Sequence, residues 1–126
     1  MNFWTDFLKN LIFGRQISGK TKRFINSALV KASESLKSKD SHLMKASITQ
    51  LDSMLGMALN DLYGKNSIAE NLKKAKNKFS KEVYQKVWEA HKIRNHIVHE
   101  PERYLGDREL DSAVRNFILV LNRIKN

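Results

Sequence analysis

Apolar residues return every three or four positions along most of this chain, and nowhere do they alternate over a useful length. That spacing predicts helices, each with one apolar face, and argues against strands. Phe3, Trp4, Phe7, Leu8, Leu11 and Ile12 make the first such face, and Gly14 ends it. A second helix is expected from about Gly19 to Ser38, with Phe24, Leu29, Ala32 and Leu36 inward. The polar run Ser38-Lys39-Asp40-Ser41 breaks the pattern, and Asp40 or Ser41 can cap a third helix. There Leu43, Ala46, Ile48, Leu51, Leu55, Ala58, Leu59 and Leu62 give a broad apolar face, stopped at Gly64.

Ser67-Ile68-Ala69-Glu70 has the spacing of a capping box and predicts a short fourth helix. Ser80 is placed to cap a long one carrying Val83, Tyr84, Val87, Trp88, Ile93, Ile97 and Val98. Pro101 disfavours helical backbone at Glu100, so this helix should end near His99. After a loop from Glu100 to Gly106, Asp107 is expected to cap a last helix. Its inward residues would be Leu110, Ala113, Val114, Phe117, Ile118, Leu121 and Ile124. The expected architecture is all-α: an up-and-down bundle of four to five helices over residues 15–126, preceded by an amphipathic helix over residues 1–14.

Composition narrows the chemistry more than the fold. The 126 residues include no cysteine, which removes disulfides, thiolate metal sites and a cysteine nucleophile, and fits a reducing compartment. No run reaches the roughly 18 apolar residues a membrane span needs. Residues 1–13 carry Asp6 and Lys9 and lack the basic start and small-residue cleavage site of a secretory signal, so a cytoplasmic location is expected. For residues 1–14, packing on the domain or on a partner subunit is preferred to shallow insertion at a membrane surface. The net charge is +10. Such a field speeds encounter with RNA, DNA or anionic lipid, although solubility alone also accounts for it. Lys73, Lys74, Lys76, Lys78 and Lys81 fan around their segment and read as a solvated face.

The densest chemistry lies just before the only proline, in Arg94-Asn95-His96-Ile97-Val98-His99-Glu100. Imidazole titrates near neutral pH and a guanidinium stays charged, so the run can hold phosphate and move protons. On a regular helix Arg94 and His99 project about 140 degrees apart. His91, Asn95 and His99 line up instead, while Arg94 falls on the core-facing row of Val83, Val87, Ala90 and Ile97. Arg94 and His99 can therefore cooperate only if the last turn loosens or a second copy of the helix completes the site. An arginine on an apolar row also needs an acidic partner, and Asp52, beside Leu51 and Leu55, is the candidate. The competing account is ordinary capping, because Arg and His favour the negative end of a helix. His91 and His99 are eight apart and Glu100 lies on a different face from both, so these residues lack the close helical spacing of a zinc site.

The run RNHIVHE, and around it WEAHKIRNHIVHEP from Trp88 to Pro101, resembles the Arg-x4-His signature of the HEPN superfamily. LDSMLGMALNDLYG, from Leu51 to Gly64, and the helix after the motif add weaker likeness, so that the resemblance spans roughly residues 20 to 124. It implies a bundle that dimerises with its motifs facing each other, no cofactor and no metal, and RNA as partner. Many members are metal-independent endoribonucleases, several of them toxins paired with an antitoxin protein or defence effectors. Others bind RNA or nucleotide without turnover. Carried over, Arg94 would hold the scissile phosphate, Asn95 would orient it or the histidine, and His99 would act as general base or acid. His91, Lys92, His96 and Glu100 are the expected substrate-binding neighbours. HEPN toxins often carry a tyrosine two residues after the histidine; that position here is Pro101, and the nearest tyrosine is Tyr104.

Overall fold

A computed structural model describes residues 15–126; residues 1–14, and with them the expected amphipathic helix and its partner or membrane contacts, lie outside the described residues. The described residues form five α-helices, a single 3-10 turn (Lys76–Lys78) and no strand. The helices are α1 (Gly19–Ser38), α2 (Ser41–Tyr63), α3 (Ile68–Lys74), α4 (Lys81–His99) and α5 (Asp107–Lys125). The four long ones alternate in direction as an all-α up-and-down bundle. α5 touches α1, α2 and α4, and the short α3 lies across the end of α2. Among the described residues no helix is long and apolar enough to cross a membrane.

Local chemistry sets most helix ends. Ser18 accepts from the Thr21 N–H (3.0 Å) to start α1. Asp40, and not Ser41, caps α2, with one oxygen accepting from the His42 and Leu43 N–H groups at 2.8 and 3.1 Å. Ser67 and Ser80 do the same for α3 and α4. α5 departs from expectation: Gly106 holds the cap position without a side-chain bond. Asp107 is the first helical residue, where its charge favours the positive end of the helix. Gly64 ends α2 at φ 95, a backbone shape that suits glycine.

The core is built from Ile25, Ala28 and Ala32 of α1, Ile48, Leu51 and Leu55 of α2, Val83 and Val87 of α4, and Leu110, Val114, Phe117 and Leu121 of α5. Two residues expected on inward faces are outside it: Phe24 is 45% exposed and Leu43 52%. In α1 the inner row is Thr21, Ile25, Ala28, Ala32 and Ser35. Phe24, one position off that row, lies beneath Lys20 at the surface. Ala46 is exposed as well, beside Leu43 on a shallow groove facing Lys31 and Glu34.

Candidate functional site

α4 keeps α-helical geometry through its last turn. The Glu100 N–H still bonds the His96 carbonyl at 2.9 Å, and the chain turns away only at Glu100 (φ −133, ψ 63), next to Pro101. The last turn does not loosen. Arg94 and His99 therefore stay about 140 degrees apart, and one chain does not bring them together.

Arg94 continues the buried row of Val83, Val87 and Ala90, and its charge is met from α2. Its Nε lies 3.3 Å from Asp52 Oδ2, and Asp52 is 1% exposed. The angle is too bent for a hydrogen bond, so both atoms are buried with an ion pair as their only compensation. The second Asp52 oxygen is 2.8 Å from His91 Nδ1. A carboxylate has no proton to give, so the ring nitrogen donates and His91 carries its proton there. Asp52 thus fixes two side chains of α4 at once.

The outer part of Arg94 behaves differently. Its Nη1 donates to Asn95 Oδ1 at 3.1 Å, and the side chain is 28% exposed, so the guanidinium is anchored from behind while its outer edge reaches solvent. That geometry suits an arginine that grips an external oxyanion: the position is fixed and the remaining donors are accessible.

The other expected site residues divide between two further places. Lys92 and His96 line a groove of about 440 Å³ between α4 and α5, together with Glu89, Arg108, Glu109 and Asn116. His96 Nδ1 is 2.7 Å from Glu100 Oε2, and Arg103 Nη1 sits 3.1 Å from His96 Nε2. This hydrogen bond, with the nearby positive charge, holds the Glu100 carboxyl below its ordinary range. His99 is exposed and belongs to neither group.

Two expectations change as a result. His91 is not among the exposed substrate contacts: it is buried, edge-on to Trp88, and spent on Asp52. Lys92, His96 and Glu100 form a cluster of their own around the α4–α5 groove, and do not extend the surface at Arg94 and Asn95. Arg103 and Arg108 were not anticipated. Arg103 lies in the loop after Pro101, where helical spacing carries no information, and Arg108, in the first turn of α5, lines the groove only because α5 packs against α4. Among the described residues no three His, Cys, Asp or Glu side chains are grouped to hold a metal ion. Compared with protein families, curated proteins and solved structures, the chain matches none.

Proposed function

We propose that this protein is a metal-independent endoribonuclease of the HEPN kind, working as a homodimer whose two α4 ends face each other. The observation that carries the proposal is the division of labour on α4. Arg94 is anchored by buried Asp52 with its outer edge at the surface, while His99 is exposed and turned away from it. A phosphate held by Arg94 and Asn95 of one chain would then meet His99 of the other. Val98, on the Arg94 side of the helix, is apolar and 43% exposed, as a residue at such a contact would be in the isolated chain.

In that arrangement His99 takes the proton from a ribose 2′-hydroxyl. The oxygen attacks the adjacent phosphorus, and the bond to the 5′-oxygen breaks. That oxygen leaves as an alcohol after gaining a proton from solvent, and the other fragment ends in a 2′,3′-cyclic phosphate. Arg94 stabilises the charge that builds on the phosphoryl oxygens, which together with proton transfer requires no metal.

The test is incubation with single-stranded and structured RNA in EDTA. Wild type should cleave, and His99→Ala should be slower by about 100-fold or more. Mixing inactive Arg94→Ala with inactive His99→Ala should restore activity, because one mixed site has both groups. Equal cleavage by wild type and His99→Ala, or none by either, removes the catalytic claim. A second reading is a non-catalytic module that binds RNA or nucleotide, or a partner, in the same place without turnover. It is favoured by one fact, that Asp52 already offsets part of the Arg94 charge. Salt-dependent RNA binding without products would select it.

A further inference from the structure

The positive charge is not where the motif is. From residue 82 to the end, eight Lys and Arg face seven Asp and Glu. Residues 15–39 carry seven cationic side chains against the single Glu34, and residues 65–81 carry six against the single Glu70. Almost the whole net charge therefore lies in these two segments.

The fold brings these segments together. At the bundle end where α1 and α4 begin and α2 and α5 finish, a hollow of about 410 Å³ is lined by Arg15, Lys22, Lys78, Arg123 and Lys125, with no side-chain carboxylate. Among the described residues none of the five makes an ion pair. Asp61, close by on α2, is taken up by the Ser18 N–H at 3.0 Å. Two of the cations are held in place: the Lys125 ammonium donates to Asn26 Oδ1 at 2.8 Å, and the Arg15 guanidinium lies against the open face of Gly64. Five like charges gathered with no ion-pair partner among the described side chains repel one another and raise the positive potential over the hollow. In the α4–α5 groove, by contrast, Lys92 and Arg108 are matched by Glu89 and Glu109.

We infer that this hollow is a phosphate-binding site for the backbone of single-stranded RNA, separate from the motif. The choice of RNA rests on the function proposed above; the hollow itself does not. Along α4 the two places are separated by on the order of 27 Å. Exposed cations set around a hollow suit a flexible strand whose phosphates can enter it. The hollow would hold RNA without regard to sequence and leave the chemistry to the far end of the bundle.

The experiment measures fluorescence anisotropy of a labelled single-stranded RNA 20-mer between 50 and 200 mM salt. His99→Ala serves as background, so that nothing is cut. Adding Arg15→Gln, Lys78→Gln and Arg123→Gln should weaken binding at least about tenfold and reduce the salt slope by about two, since each lost phosphate contact on a single strand removes about 0.7. Lys78→Gln alone, at an exposed position, should reduce the slope by about 0.7, and circular dichroism checks that each variant folds. Unchanged affinity and slope in the folded variants overturn the inference. So does loss of binding to phosphatidylserine vesicles with RNA binding intact. If wild type cleaves RNA and the triple variant binds it equally well, the hollow is refuted and the enzyme stands. Hollow-dependent binding without cleavage leaves the hollow and removes the enzyme.

Discussion

Two groups, each of a histidine, a carboxylate and an arginine, involve α4, and they are built to opposite ends. His91, Asp52 and Arg94 meet across α2 and α4 with the carboxylate sealed from water. His96, Glu100 and Arg103 meet at the surface where α4 ends, and their carboxylate is about half exposed. In the buried group the carboxylate is indispensable, because an unmatched charge in the interior is far more costly than one in water. At the surface, water replaces any partner that is lost, so the same contacts add little. Similar side chains at similar distances thus make a fixed anchor in one place and an adjustable contact in the other.

The largest effect expected is from Asp52→Ala. Removing the shared carboxylate strands Arg94 and leaves the His91 N–H without an acceptor, and should lower stability by about 3 kcal/mol or more in urea denaturation. A loss below about 1 kcal/mol would mean that the cluster is not held by charge. His91→Leu should cost less, about 1 to 3 kcal/mol, because one Asp52 oxygen loses its donor while Arg94 still faces the other. A cost equal to that of Asp52→Ala would show that the two pairs act as one unit, and a double-mutant cycle would measure the coupling.

The smallest effect belongs to the exposed group. Glu100→Gln should lower the denaturation midpoint at neutral pH only slightly. The Glu100 carboxyl is held below its ordinary range, chiefly by the His96 hydrogen bond. What it contributes is fully present above about pH 4.3, its unfolded value, and is lost as pH falls through the lower folded value. Wild type and Glu100→Gln should therefore converge in acid. If Glu100→Gln shifted the midpoint as far as Asp52→Ala, exposure would not be what separates the two groups.

Much of the fold was legible because helix ends are decided locally. Asp40, Ser67, Ser80, Gly64 and Pro101 each act through a hydrogen bond or a backbone restriction within a few residues of themselves. Gly106 was not, since a cap that offers no side chain leaves no chemical mark beside an aspartate. Phe24 and Leu43 were misjudged for another reason: which part of a wide apolar face is covered depends on neighbouring helices, not on the helix itself. The pairing of Asp52 with Arg94 could be read because each is a charge on an apolar row. His91 escaped because it also fits the polar stripe of Asn95 and His99. Its burial became visible only once α2 was placed against it.

The unbroken last turn of α4 has a consequence for dosage. In the homodimer proposed above, a chain whose arginine and histidine look in different directions would hold two half-sites and no complete one. An enzyme assembled from such halves has a threshold: well below the concentration at which chains pair, its rate falls with the square of the amount of protein. Modest changes in synthesis or turnover would then move it between idle and active, without any inhibitor.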